Sequence, residues 1–260
     1  MRIALGLEYD GSAFAGWQVQ EPGVRTVQAC VEAALSRIAD HPVRLICAGR
    51  TDAGVHATAQ VVHFDTTARR PLHAWVLGTN SHLPEAVAVR WAREVPEDFH
   101  ARFSARSRCY RYLILNRPVR PTFLARRVTW THRPLDEARM AEAARDLVGE
   151  HDFSAYRALG CQARSPVRTV HRLEVLRRGE LVVLEVEANA FLHHMVRNMA
   201  GVLMEIGTGR RPVGWAREVL EGRDRTLGGV TAPPDGLYFV GVRYPERYGL
   251  PALPQPPLVW

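Results

Sequence analysis

The run AGRTDAGVHATAQVVHFD, residues 48–65, sets one carboxylate, Asp52, between Thr51 and Gly54, with Arg50 two places upstream. Thr, Asp and Gly are turn formers, and an aspartate that hydrogen-bonds its own loop is the ordinary outcome for such a stretch. The same residues permit a second use. Arg50 supplies a counter-charge, Gly54 lets a backbone or a substrate approach closely, and a positioned carboxylate can attack a sugar carbon or an activated ring. Further on, ARFSARSRCYRY, residues 101–112, alternates so that Arg106, Arg108, Tyr110 and Tyr112 share one face of a strand. Guanidinium groups beside aromatic rings suit RNA with exposed bases, the cation meeting phosphate and the ring meeting the base. A solvated basic strand with tyrosines at its rim fits the pattern equally well. In FLHHMVRNMAGVLMEIG, residues 191–207, Leu192, Met195, Val196, Met199, Leu203 and Ile206 form an apolar helical stripe, and Arg197 stands off it. A mid-helix arginine of this kind is either solvated or paired with a buried acid.

The balance of charge narrows the chemistry. All 34 basic residues are arginine, and a formal net charge of +7 favours a polyanionic partner. The absence of lysine excludes a lysine Schiff base, a lysine general base and a Walker-type phosphate loop. Four cysteines, at 30, 47, 109 and 161, form no Cys-x-x-Cys pair, so buried free thiols are expected rather than a zinc ribbon or a disulfide framework. No His-Glu-x-x-His occurs among the 11 histidines, and no metal site is expected. No apolar run approaches the roughly 20 residues a membrane span needs. The opening MRIALGLEYDG reads as a strand and a turn rather than a signal peptide, so a cytoplasmic location is expected.

These candidate residues need elements to hold them. RIALGLEYD places Ile3, Leu5, Leu7 and Tyr9 on one strand face. A glycine-rich loop follows, and then TVQACVEAALSRIAD spaces Val27, Val31, Ala34, Leu35 and Ile38 as a helix capped by Thr26. PVRLICAG and ATAQVVHFDT read as strands around the Asp52 loop, PLHAWVLGTNSHL as helical and AVAVRWAREV as a strand. The second half repeats this loosely. It has strands at SARSRCYRYLILN and RRVTWTH, and a helix in PLDEARMAEAARDLVG opened by a proline. A hairpin follows over TVHRLEVLRRGELVVLEVEA, with Leu184, Val186 and Ala188 inward. Two further helices and a late strand, GLYFVGVRY, complete it. The class expected is α+β, in two related halves whose sheets join side by side. Residues 1–103 carry the aspartate loop, 104–245 carry the Arg/Tyr strand, and 246–260 form a proline-rich tail.

Four segments, in order along nearly the whole chain, resemble the tRNA pseudouridine synthases of the TruA kind. They are LEYDGSAFAGWQVQ (7–20), AGRTDAGVHATAQVVHFD (48–65), FSARSRCYRYLI (103–114) and NAFLHHMVRNMAGVLMEIGTG (189–209). The resemblance implies the pseudouridine synthase fold, with ferredoxin-like halves forming a continuous, mostly antiparallel sheet and helices on one face. It implies Asp52 as the catalytic aspartate, Tyr110 as the ring stacked on the target uracil and Arg197 as the ion-pair partner of Asp52. Arg50 would help present the flipped nucleotide, and Arg106 and Arg108 would contact RNA. The resemblance further implies a homodimer that takes the anticodon arm of tRNA and isomerises uridines 38, 39 and 40 with neither metal nor organic cofactor. Two other classes compete. A non-catalytic tRNA-binding protein would account for the charge alone, and a glycosidase would use a carboxylate near a sugar carbon. Glycosidase chemistry wants a second carboxylate as proton donor, and the Asp52 loop offers none.

Overall fold

The alternation in RIALGLEY becomes strand β1 (Arg2–Tyr9), the first element of the computed structural model, which describes residues 1–251. Two compact units follow from the chain's contacts: Met1–Arg108 with the stretch that starts at Tyr238, and Cys109–Leu237. The α+β class expected from the sequence holds in each.

In the first unit, α1 (Val27–Ala39) begins where Thr26 accepts a hydrogen bond from the Ala29 amide, as the capping pattern predicts. It buries Val27, Val31, Ala34 and Leu35. Short β2 (Ile46–Cys47) and long β3 (His56–Asp65) flank the Asp52 loop, and β4 (Val87–Val95) closes the order. β1 pairs antiparallel with both β3 and β4. The other edge of β3 is shared: β2 meets it antiparallel at Val62 and His63, and the late strand meets it parallel at His56 and Ala57. PLHAWVLG forms a π-helical turn, Ala74–Gly78, that buries Trp75 against the edge of Phe64 at 5.3 Å between centroids.

In the second unit, β5 (Ser107–Asn116), whose first two residues belong to the first unit, runs parallel to β6 (Thr129–Thr131). Helix α2 (Glu137–Ala144) opens not at Pro134 but at Asp136, whose carboxylate accepts from the Ala138 and Arg139 amides. A side-chain cap satisfies first-turn amides that have no partner inside the helix, which a proline ring cannot do. β7 (Gly149–Asp152), which has no alternating pattern to announce it, pairs with β8 (Val167–Arg178), and β8 forms the expected hairpin with β9 (Leu181–Ala188). Leu184, Val186 and Ala188 are buried as predicted. Helix α3 (Met195–Gly207) is nearly all core, and α4 (Trp215–Gly222) accepts the Tyr156 hydroxyl at the carbonyl of Ala216, 3.0 Å away. The late strand, β10 (Leu237–Arg243), belongs from Tyr238 onward to the first unit, as does the turn that follows it. Of the tail expected at 246–260, Glu246–Tyr248 form a 3-10 turn with Tyr248 buried, and residues 252–260 lie outside the described residues.

The cysteines are all free: Cys47 and Cys109 are buried, Cys30 and Cys161 half-buried. Burial pushes the Cys47 thiol up to about 12 and that of Cys109 up to about 11. His63, on β3, is 2% exposed, and its Nδ1 accepts the Ala101 amide at 3.1 Å. Burial, then the charges of Arg2 and His100, lower its pKa from 6.5 to about 4, against an opposing pull from Asp65. The unfolded chain therefore binds a proton here that the folded chain refuses, and stability declines as pH falls through the window from 6.5 to about 4. His63→Asn keeps an acceptor at the Nδ1 position without the titration. Urea midpoints at pH 7 and pH 5 should fall further apart for the wild type than for this variant, and equal falls would remove His63 as the cause.

Candidate active site

Asp52 is half-buried on the loop between β2 and β3, and the loop is tied down on every side from within the first unit. Beneath it runs the glycine-rich segment after β1. The Trp17 amide donates to the Thr51 carbonyl at 3.0 Å, and the Gly54 amide donates to the Phe14 carbonyl at 3.3 Å. The Val55 amide closes a turn on the Asp52 carbonyl at 3.1 Å. Two glycines permit this approach. A Cβ on Gly11 would lie 1.9 Å from the Val55 carbonyl oxygen, and one on Gly16, whose φ of +99° already disfavours a side chain, would lie 2.8 Å from the Thr51 oxygen. Buried side chains complete the support. The Tyr9 hydroxyl and Thr51 Oγ1 are 2.8 Å apart, and Gln60 Nε2 donates to the Gly49 carbonyl at 2.6 Å. His56 Nδ1 accepts the Gly11 amide at 3.1 Å while its ring stacks on Tyr238, 4.6 Å between centroids.

The predicted arginines of this unit divide. Arg50 and Arg106 are exposed. Arg108 is half-buried and turned onto backbone: its Nε and Nη2 donate to the Ala48 carbonyl at 3.3 and 3.2 Å, its Nη1 donates to Ala105 at 3.3 Å, and its Nη2 also donates to the Arg102 carbonyl. It thereby joins the start of the Asp52 loop to the turn that precedes β5.

Tyr110 and Arg197 belong to the second unit. Tyr110 is 8% exposed and meets the Phe191 ring edge-on, 4.9 Å between centroids. Tyr112, predicted to share its face at the rim, is fully buried, with its hydroxyl 2.5 Å from Thr129 Oγ1 and donated to the Pro233 carbonyl at 2.8 Å. Burial raises the Tyr112 pKa, and the bond to Thr129 and the nearby charge of Arg197 oppose the rise. The helix predicted from Phe191 starts instead at Met195, because His194 takes a left-handed φ of 61°. Leu192, expected on the helical stripe, is buried just before it. Arg197 sits on the first turn of α3, where its Nε donates to the Ala232 carbonyl at 2.8 Å and its own carbonyl accepts the Ala232 amide at 3.2 Å. One turn on, Gly201 leaves room for the same strand of chain: a Cβ there would lie 2.0 Å from the Val230 oxygen. Buried Asn198 fixes the surroundings by donating to the Tyr156 carbonyl and accepting from Arg225 and the Thr231 hydroxyl. Asn198, Phe191, Tyr9 and Gln60 carry positioning roles that the sequence reading passed over. An asparagine within an apolar helix was the available signal, since a buried amide needs partners.

The α+β fold is consistent with that of a pseudouridine synthase. The profile of the family described as tRNA pseudouridine synthase matches residues 7–104 and 143–245. The tRNA pseudouridine synthase A of Nitrosococcus oceani is 62% identical over 260 residues, covering 100% of both chains. That of Pseudomonas aeruginosa is 62% identical over 250 residues, 96% of this chain and 88% of its own. That of Methylococcus capsulatus is 63% identical over 250 residues, 96% and 92% respectively. The chain belongs to the tRNA pseudouridine synthase family and is an isomerase, which sets aside the reading as a non-catalytic binding protein.

The contact beneath the Asp52 loop is open to test. Gly11→Ala forces Val55 and its loop outward and should cost about 1–3 kcal/mol of stability, read from denaturant midpoints. A variant as stable as the wild type would mean that the two loops can part freely.

Proposed function

We propose that this enzyme converts uridine to pseudouridine at positions 38, 39 and 40 in the anticodon arm of tRNA, acting as a cytoplasmic homodimer. The observation that carries the reading is the Asp52 loop: its backbone is fixed by Trp17, Phe14 and the Gly11 approach, and Asp52 itself is half-buried. The family match and the arginine-only positive charge give the loop a polyanionic substrate.

Isomerisation breaks the N1–C1′ bond, turns the ring and joins C5 to C1′, while the proton lost from C5 is matched by one gained at N1, so atoms and electrons balance and no redox cofactor is called for. The uracil first leaves its stack at a cost of a few kcal/mol. Stacking on Tyr110 offsets part of that cost, and arginine contacts to the backbone offset more. Asp52 then acts at C1′, at C6 or on the C2′ proton. Each route uses the charged carboxylate, and Arg197 pairs with it to balance its removal from water. The Ala232 carbonyl, which accepts from Arg197 Nε, helps to orient the guanidinium. Arg50 presents the extruded nucleotide and the exposed Arg106 contacts the RNA backbone; Arg108, which was expected to do the same, is occupied by the carbonyls of Ala48, Ala105 and Arg102 and braces the loop instead.

Asp52→Ala should abolish pseudouridine formation in a tRNA transcript while leaving its affinity within a few fold. The readout is carbodiimide labelling with mass spectrometry of released nucleosides. Full retained activity would refute the assignment, and free uracil in the wild-type reaction would mark a hydrolase instead. Tyr110→Phe keeps the stacking face, so a rate equal to the wild type's would leave the hydroxyl without a catalytic part.

A further inference from the structure

Phe103 is 76% exposed, in a turn built as though to present it. Lone exposed apolar residues are common on protein surfaces and mean little by themselves. Here the surroundings are specific. The amides of both Arg102 and Phe103 donate to His100 Nδ1, at 3.2 and 3.1 Å. The His100 amide is held by Ser104 Oγ at 2.9 Å, and the Ser104 amide returns to the His100 carbonyl at 2.8 Å. The imidazole then backs the phenyl ring, with centroids 4.3 Å apart and planes inclined by 28°. His100 must be neutral at Nδ1 to accept two amides, and burial followed by the charge of Arg2 lowers its pKa accordingly. The Arg102 guanidinium lies over the phenyl ring at 5.5 Å. Aromatic ring, adjacent cation and fixed backbone are the components of a stacking platform for a nucleobase.

The turn is also fastened to the catalytic loop within the first unit. Arg108 holds the carbonyls of Ala48 and Arg102 with one guanidinium. The charges of Arg50 and Arg102 both reach Cys47, the residue before Ala48. Asp52 lies four residues along the chain from Ala48, a reach of at most about 14 Å. We propose that Phe103, with Arg102, stacks a second nucleotide of the RNA substrate, an unpaired one flanking the uridine that is isomerised. This rests on the reading of Asp52 as the centre of an RNA isomerase. It gives that site a second base contact, on the side of the loop opposite to its glycine-rich support in sequence, where one strand end feeds Ala48.

The ring's exposure makes the residue replaceable without unfolding, and the test uses the full chain with a tRNA transcript carrying uridine at 38–40. Phe103→Leu, which keeps apolar bulk and loses the π-face, should weaken binding by about tenfold, and Phe103→Tyr should bind like the wild type. The slope of log affinity against log salt should be unchanged in Phe103→Leu and shallower in Arg102→Ala, because a stacked base releases no counterions and a phosphate contact does. Affinity equal to wild type in Phe103→Leu overturns the proposal, as does equal loss in the leucine and tyrosine variants. A leucine variant with altered sedimentation and unaltered affinity would assign the face to contact between copies of the chain, and overturns it too. Binding is read apart from turnover: a wild type that binds but forms no pseudouridine would defeat the isomerase reading, and the platform would still be judged by the affinities.

Discussion

The carbonyl oxygen of Val55 occupies the place where residue 11 would carry a Cβ. That single close approach explains much of the first unit's local design. It requires glycine at 11, and it brings the segment after β1 directly under the loop after β2. There, one amide of each segment donates to a carbonyl of the other, Trp17 to Thr51 and Gly54 to Phe14. A loop held only by its own turn would let Asp52 wander, and catalytic geometry tolerates little wandering: a displacement of about 1 Å can cost a hundredfold in rate. Tyr9, Thr51 and Gln60 extend the same support into the core.

The second unit solves a different problem with a helix. α3 begins at a left-handed histidine, and its first turn exposes Arg197 to the 228–232 segment rather than to the apolar stripe. Guanidinium suits this position because its planar fork can serve a backbone carbonyl through Nε and keep its other N–H groups for further acceptors. Asn198, next in the chain, ties the same segment to Arg225 and to Tyr156. A buried amide with every partner in place fixes one arrangement of its surroundings, since any other leaves polar groups unpaired.

Much of this was legible in the residues. Strong alternation gave β1, β3, β8 and β9, and a threonine cap gave the start of α1 to the residue. What was not legible depended on contacts distant in sequence. The start of α3 was placed four residues early because periodicity continues through Phe191 and Leu192, whereas the backbone reverses at His194 for reasons no local pattern contains. Proline at 134 suggested a helix start, but a side-chain cap at Asp136 outweighed it. Tyr110 and Tyr112 look alike in a strand pattern, and only the third dimension makes Tyr112 a core residue with a bonded hydroxyl. The candidate residues were found by type and spacing; their supports were not, because supports act through backbone groups that every sequence possesses.

The distribution of thiols has a practical consequence. Cys47 and Cys109 are buried and held as protonated thiols far above neutrality, which makes them poor nucleophiles. The less buried Cys30 and Cys161 fall one in each unit. Maleimide dyes would therefore find a natural donor and acceptor position without engineered cysteines, and energy transfer between them would follow any movement of the two units as RNA enters.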